Sequence, residues 1–211
     1  VQLLSAGVEA HRAPIVTALQ ALTGAAGILA RNDASVRARE GLPRVVETLA
    51  GEVPPTIEVR EHGVRYLAAP HTGQKTGAFL DQREARVLVG SVARGRALDL
   101  FSYHGSFALH LAARAETVTA VDVSAEALAR GAENAQRNDR TNVHFVEADV
   151  FDFLRAEERR GARYETIVLD PPAFAKNRAS IAGAMRGYRD LNFRAMRLLA
   201  PGGVLYKASC S

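Results

Sequence analysis

The chain contains 211 residues, 47% of them hydrophobic, which is enough for one large domain or for one domain with a smaller companion. No apolar run approaches the roughly 20 residues of a membrane span, and the first residues lack the features of a signal peptide, so we expect a soluble, cytoplasmic protein without a membrane partner. The net charge of +4 comes almost entirely from arginine, and it fits RNA as a partner no better than a bias in composition.

The first 72 residues predict a small α+β module. The stretch "AHRAPIVTALQALTG" has helical spacing and a glycine stop, "GILARN" is typical of a short strand, and "ASVRAREG" of a second short helix. "LAGEVPPT" predicts a turn, and "TIEVREHGVRYLAA" alternates on both sides of His62-Gly63, as a hairpin does. We therefore expect one domain over residues 1–72 and a second over residues 73–211.

From Arg96 onward the pattern changes to strand and helix in alternation. The five predicted strands are "RALDLFS", "TVTAVDVS", "NVHFVEAD", "ETIVLDPP" and "GGVLYKASCS". Regular alternation predicts an α/β fold in which helices cover both faces of a parallel sheet. Ligands on such sheets bind beyond the carboxyl ends of the strands.

The residues that end these strands are candidates for a ligand site. Asp99 ends the first strand and is followed by a turn containing Gly105, where the backbone can approach a ligand closely. Asp122 follows at a spacing near the roughly 20 residues typical of an acidic group that binds a ribose, and Asp149 is placed to accept from an adenine amine. A single strand-end aspartate is as often a helix N-cap. Because "FSYHGSF" lacks G-x-G-x-x-G, the joint pattern favours an adenosine-bearing cofactor other than NAD.

The fourth strand ends in "VLDPPAF", which predicts a rigid polar turn. Pro171 moves Asp170 away from the helical region, and Pro172 stiffens the turn further. The Asp170 side chain and nearby carbonyls can then read a planar base on which Phe174 stacks. The alternative is a plain strand-ending turn, because two prolines stop a strand efficiently.

Cys210 is the only cysteine of the chain, so it cannot form an internal disulfide or a zinc cluster. It is therefore either a buried bystander or a reactive group. Its position at the predicted carboxyl end of the sheet, beside the "DPP" strand, favours the reactive group. Lys207 faces the opposite side of a regular strand and is a poor activator of the thiol.

The helix "MRGYRDLNFRAMRLL" carries a basic face that predicts either a phosphate contact or a solvated surface. A helical wheel places Arg186, Arg189, Arg194 and Arg197 on one side, and Met185, Tyr188, Leu191, Met196, Leu198 and Leu199 on the other. The six histidines show no metal-ligand spacing, so no metal is predicted.

Taken together, these motifs resemble the S-adenosylmethionine-dependent cytosine-5 methyltransferases of large-subunit ribosomal RNA. In order and spacing, the matching stretches are "GQKTGAFLDQR", "LDLFSYHGSFA", "AVDVS", "VLDPPAF", "GYRDLN" and "SCS". Ser106 and Ala173 depart from the family pattern, which often has glycine and lysine there. The family also usually carries an RNA-binding domain before Val1 and further strands after Ser211, so the resemblance makes the chain look like a fragment.

The resemblance implies roles for individual residues. Asp99 and Gly105 would line the methionine side of S-adenosylmethionine, Asp122 would hold the ribose, and Asp149 the adenine amine. Phe101 is a further predicted cofactor contact. The remaining implied cofactor contacts are Val123, Val150, Phe79, Gln82, Arg83 and Asp170. Asp170 and Pro171 would face the target base, and Cys210 would be the nucleophile, with Asp170 as its catalytic partner. The residues themselves add Pro172, Phe174, Arg186 and Arg189 as candidate substrate contacts.

Three alternatives stay open from the sequence. A methyltransferase acting on a guanine needs no cysteine nucleophile, a non-catalytic RNA-binding fragment needs no cofactor, and a dehydrogenase would bind NAD. The sequence also leaves open whether the chain forms a homodimer and which base removes the carbon 5 proton.

Overall fold

The computed structural model describes residues 1–73, 77–175 and 180–208. The chain divides into two compact units, of which the first is Val1–Val59 with Leu67–Leu80 and the second is Arg60–Tyr66 with Asp81–Ser211. The boundary predicted near residue 72 falls inside the second segment of the first unit. Arg60–Tyr66 groups with the second unit because Glu61 is buried in contact with side chains of that unit.

Short helices and an antiparallel strand pair form the first unit. Its elements in chain order are α1 (Ala6–Glu9), α2 (Arg12–Thr23), β1 (Gly27–Asn32), α3 (Val36–Arg39) and β2 (Val45–Gly51). The predicted helices and the "GILARN" strand are confirmed, and Gly24 ends α2 in the left-handed conformation that favours glycine. The sequence reading missed β2, because its half-exposed residues lack a clear apolar face.

The predicted hairpin is also confirmed. It joins β3 (Ile57–Glu61) to β4 (Val64–Ala68), and both turn residues, His62 and Gly63, have positive φ angles. Two positive φ angles are typical of the tight turns that match the twist of paired strands. The division between the two units runs through both strands of this hairpin.

The second unit contains a parallel sheet, as the alternating pattern predicts. After a 3-10 turn at Leu80–Gln82, its elements are α4 (Arg83–Val92), β5 (Arg96–Leu100), α5 (Ser106–Leu111), β6 (Thr117–Asp122), α6 (Ala125–Arg137), β7 (Val143–Glu147), α7 (Val150–Arg159), β8 (Tyr164–Leu169), α8 (Ile181–Leu198) and β9 (Leu199–Lys207). Within the described residues the sheet has five strands, in the order β7-β6-β5-β8-β9, and every neighbouring pair is parallel.

Two apolar layers enclose this sheet. On one face, Val89 of α4 and Phe107 of α5 pack on Val118 and Val168 of the strands. On the other face, Leu154 of α7 and Leu191 of α8 pack on strand residues such as Ile167. This is the two-sided burial expected of a parallel sheet, and it leaves the loops at the carboxyl ends of the strands free to build a site. Among the described helices, none is long and apolar enough to cross a membrane.

Candidate cofactor and catalytic site

The sheet brings acidic residues to one edge. Asp99 lies at the end of β5, Asp122 ends β6, and Asp170 directly follows β8. The strands are parallel, so these three ends share one edge of the sheet, and the charges of Asp170 and Asp122 both act on Asp99. This is the edge where the sequence predicts a ligand.

Asp99 is the most deeply buried member of this group. Its side chain is buried, and its carboxylate accepts a hydrogen bond from the backbone nitrogen of Ala108 at 2.9 Å. Burial, reinforced by the negative charges of Asp170 and Asp122, raises the pKa of Asp99 to about 8. The pKa of Asp99 therefore lies close to physiological pH, where the carboxyl group can gain or lose a proton.

The loop between β5 and α5 has an unusual backbone. Phe101, Tyr103 and Gly105 have φ angles of +63°, +50° and +77°. Positive φ angles are uncommon outside glycine and cluster at functional sites. The conformation directs the Tyr103 backbone nitrogen toward Asp122, whose carboxylate accepts from it at 2.9 Å.

Gly105 is required by packing within the protein. A Cβ atom added there would lie 2.9 Å from Cε1 of Phe145, and the positive φ angle independently favours glycine. The sequence reading ascribed this glycine to close approach of a ligand. In the structure, the ring of Phe145 on β7 occupies the space that a side chain would fill.

The two aspartates predicted to hold the adenosine differ in their surroundings. Asp122 is half-buried, and its second carboxylate oxygen accepts from the backbone nitrogen of Ser124 at 3.0 Å. Asp149 is exposed and caps α7 by accepting from the backbone nitrogen of Asp152 at 3.1 Å. Asp149 is thus the helix N-cap that was weighed as the alternative for such residues. Asp122 is not, because Ser124 caps α6, and Asp122 instead accepts from the backbone nitrogens of Tyr103 and Ser124.

The valines beside these aspartates face opposite environments. Val123 is 65% exposed and available to a ligand, whereas Val150 is buried in the apolar layer beneath α7. The predicted contact of Val150 with an adenine ring therefore has no exposed side-chain surface on which to form.

The segment around the 3-10 turn supplies the next group of predicted residues. Phe79 is half-buried in the first unit, and Gln82 and Arg83 belong to the second. Gln82 accepts a hydrogen bond from the Tyr206 hydroxyl at 3.0 Å. Arg83 is exposed and pairs with its neighbour Glu84 at 3.0 Å.

The "DPPAF" turn is anchored by an aromatic cluster. Asp170 is half-buried, Pro171 is buried, and Pro172 is exposed with its carbonyl accepting from the Tyr188 hydroxyl of α8 at 3.2 Å. The same hydroxyl accepts from the backbone nitrogen of Phe174 at 3.2 Å. The Phe174 ring lies 4.6 Å from the Tyr188 ring, so Phe174 is partly engaged within the protein.

The cysteine predicted as the nucleophile lies outside the described residues. Cys210 follows β9, whose side chains are mostly half-buried and which pairs with β8 through Leu169 and Lys207. The last described residue, Ala208, donates its backbone nitrogen to the Leu169 carbonyl at 3.0 Å. The chain leading to Cys210 therefore runs beside the start of the "DPPAF" turn.

Helix α8 separates the four predicted arginines into two pairs. Arg194 binds Glu158 and Asp190 at 2.6 and 2.9 Å, and Arg197 binds Glu158 at 2.8 Å. Arg186 and Arg189 are exposed, and neither has an ion-pair partner in the described parts of the chain. Only this second pair is available to phosphates.

The predicted apolar face of α8 is wrong at two positions. Met185 and Met196 are 65% and 56% exposed, because the buried side of the helix is centred on Leu191 and Ala195. At about 100° per residue, Met185 and Met196 lie roughly 120° and 140° from Leu191, at the margin of the helix next to Arg189 and away from its buried side.

A buried polar network near the site was not predicted. Glu61 of the hairpin binds Arg86 of α4 through two bonds of 2.7 Å, and it also contacts Tyr66 and His110 at 3.1 Å. Although burial opposes ionisation, the bonds and charge of Arg86 hold the pKa of Glu61 below its usual range. The sequence does not reveal this network, because Glu61 lies in an alternating strand and nothing in the local pattern indicates Arg86, 25 residues later, as its partner.

Beside this network, the Tyr66 ring stacks on His104 of the β5–α5 loop, with 5.1 Å between ring centroids. Burial lowers the pKa of His104 to about 4, so its ring is neutral at physiological pH. Neither ring nitrogen, nor the buried Ser102 hydroxyl, has a hydrogen-bond partner among the residues described.

The comparison with known proteins agrees with the architecture. A parallel sheet with helices on both faces and polar residues at its carboxyl edge defines a Rossmann-like fold, in which ligands bind beyond the carboxyl ends of the strands. A family model described as S-adenosylmethionine-dependent methyltransferase matches residues 12–210, and the chain belongs to this family.

Relatives and solved structures support this membership. "Ribosomal RNA large subunit methyltransferase I" of Serratia proteamaculans is 42% identical, and that of Klebsiella pneumoniae 44%, each over all of this chain and 54% of the relative. The chain thus spans about half the length of these relatives. A SAM-dependent methyltransferase from Streptococcus mutans is 27% identical, with a TM-score of 0.79 over 96% of this chain and 52% of its own.

A further solved methyltransferase, complexed with S-adenosylhomocysteine (SAH), is 26% identical, with a TM-score of 0.79 over 95% of this chain and 52% of its own. The cofactor of this family is S-adenosylmethionine, and the edge residues suit its polar groups. Asp122 is a half-buried carboxylate, and Ser102 and His104 offer buried polar atoms that lack partners in the described structure. Because such unpaired atoms are rare, a polar ligand against this loop is chemically reasonable. No group of three or more metal-ligating side chains is found among the residues searched.

Proposed function

We propose that this chain methylates carbon 5 of a cytosine in large-subunit ribosomal RNA, through a covalent bond from Cys210 to the base. The observation that carries the proposal is the adjacency of the Asp170 turn and the strand that leads to the chain's only cysteine. The names of the relatives, which describe large-subunit ribosomal RNA methyltransferases, support the choice of substrate. The first unit would serve as an RNA-side module, and the second as the methyltransferase domain.

The chemistry accounts for a thiol in this place. Carbon 5 of cytosine is a poor nucleophile, but addition of the Cys210 thiolate to carbon 6 opens the ring double bond and makes carbon 5 electron-rich. S-adenosylmethionine supplies a methyl group bonded to a positively charged sulfur, which carbon 5 can accept. Loss of the carbon 5 proton to a base then restores the ring double bond and expels the thiolate from carbon 6.

Asp170 would stabilise the ring while charge develops on it. The prolines after Asp170 and the Tyr188 hydrogen bonds to the turn hold its backbone in place before substrate binds. Asp99 would face the methionine side, and Asp122 and Asp149 the adenosine. Arg186 and Arg189, which are exposed, would contact phosphates.

Nucleoside analysis tests this proposal directly. The protein, or a longer form that contains this chain, is incubated with methyl-labelled S-adenosylmethionine and unmodified large-subunit ribosomal RNA, and the digested RNA is separated by chromatography. We expect label in 5-methylcytidine, and none after Cys210→Ala. Label in a methylguanosine that persists in Cys210→Ala would contradict the proposal and favour a guanine methyltransferase.

A further inference from the structure

Tyr206 of β9 contacts Gln82, a predicted cofactor residue, but has no role in the site described above. Its hydroxyl donates to the side-chain oxygen of Gln82 at 3.0 Å. Its ring packs on Phe107 of α5, with centroids 5.3 Å apart and the planes inclined by 37°. Strand alternation places Tyr206 on the α4–α5 face of the sheet, opposite to its neighbour Leu205.

The electrostatic surroundings place this phenol close to the acidic edge. Partial burial raises the pKa of Tyr206, and the negative charges of Asp170 and Asp81 raise it further, while Arg86 opposes them. The phenol therefore stays protonated at physiological pH and acts as a hydrogen-bond donor. Its register partner on β8 is Val168, two residues before Asp170.

The hydrogen bond from Tyr206 occupies one end of the Gln82 amide and leaves the other end available. Its oxygen is occupied by the Tyr206 hydroxyl, and its nitrogen carries two N–H groups for which no partner is found in the described residues. An amide that is free to rotate can present either its oxygen or its nitrogen to a ligand. A donor fixed on the oxygen leaves the nitrogen as the group that can donate to a ligand.

We infer that Tyr206 is a positioning residue of the cofactor site, which orients the Gln82 amide so that its nitrogen donates to an acceptor on the bound cofactor. Tyr206 also links β9, the strand that continues toward Cys210, to the 3-10 turn at Leu80–Gln82. The inference rests on the proposed function, with Gln82 at the cofactor site as the family resemblance implies. It does not depend on which base is methylated.

Binding of SAH, measured by calorimetry on the full chain, tests the inference without an activity assay. Tyr206→Phe removes only the hydroxyl and should weaken binding by about 3- to 10-fold, which is the equivalent of one neutral hydrogen bond. Gln82→Ala should weaken binding at least as much. The double variant should bind no more weakly than Gln82→Ala, because the hydroxyl acts through the amide.

Tyr164→Phe is the matched control. It also removes a phenol hydroxyl, which donates to Glu157 at 2.7 Å in a buried contact remote from the carboxyl edge, and it should leave SAH affinity unchanged. Unaltered affinity in Tyr206→Phe would overturn the inference, whether or not the melting temperature falls. So would losses that add independently in the double variant. Absence of 5-methylcytidine would overturn the proposed function alone.

Discussion

At the scale of single residues, Asp99 shows how the fold sets a proton affinity. Its pKa is raised by burial to about 8, well above the roughly 4 of an aspartate in an unfolded chain. A raised carboxyl pKa stabilises the folded protein fully at acidic pH below the unfolded value. That contribution is lost as the pH rises through the folded pKa.

We therefore predict that Asp99→Asn, which is neutral at every pH, removes a pH dependence of stability. Between pH 5 and 8, the free energy of unfolding of the wild type should fall relative to the variant by up to about 1.4 kcal/mol per pH unit. Urea denaturation at several pH values measures this difference. A constant difference between the two proteins across this range would show that Asp99 is ionised throughout.

Gly105 and Gly161 allow packing to be separated from backbone strain. Both have positive φ angles, but an added Cβ meets Phe145 at Gly105 and meets nothing within 4 Å at Gly161. Gly161→Ala should cost about 1–2 kcal/mol from the backbone alone, and Gly105→Ala should cost about 1–3 kcal/mol more from the clash. Chemical denaturation measures both values. Equal losses would mean that Phe145 moves aside freely.

Prediction of single residues from the sequence worked best where the position of a residue depends only on the local pattern of strands and turns. The Asp122, Gly105 and Asp170 positions follow from strand and turn patterns. Sequence does not reveal that the neighbour of Gly105 is Phe145, or that Tyr206 meets Gln82, because both contacts join segments far apart in the chain.

At the scale of elements, all five parallel strands were predictable. The central strands β5, β6 and β8 are mostly buried, as strands of a doubly covered sheet are. The edge strands β7 and β9 are only half-buried, and the regular alternation with helices indicated them. Strand β2 was not predictable, because its side chains are half-exposed on an antiparallel pair. The face of α8 was predicted wrongly at Met185 and Met196, because both lie more than about 100° around the helix from Leu191, on which the buried side is centred.

Helix α8 yields a prediction about salt. If Arg186 and Arg189 contact phosphates of a single-stranded RNA segment, Arg186→Gln and Arg189→Gln should each reduce the slope of log affinity against log salt by about 0.7. Arg197→Gln is the control, because Arg197 lies on the same helix but forms an ion pair with Glu158 at 2.8 Å. Filter binding at several salt concentrations gives the slopes. The same slope change in all three variants would contradict a specific role for the first two.

At the scale of the whole molecule, the second unit contains the parallel sheet, the acidic edge and the turn on which the proposed chemistry depends. A shared fold serves methylation of different bases. The distinction between cytosine and guanine therefore rests on Cys210, and on whether it forms a bond to the base.

Trapping that bond tests the central claim most directly. The protein is incubated with S-adenosylmethionine and an RNA transcript in which 5-fluorocytosine replaces cytosine, and the products are resolved on a denaturing gel. Fluorine at carbon 5 leaves no proton to remove, so the thiol stays attached to the base. We predict a shifted protein–RNA band that is absent in Cys210→Ala. A protein that methylates ordinary RNA but gives no such band would contradict the cytosine-5 mechanism.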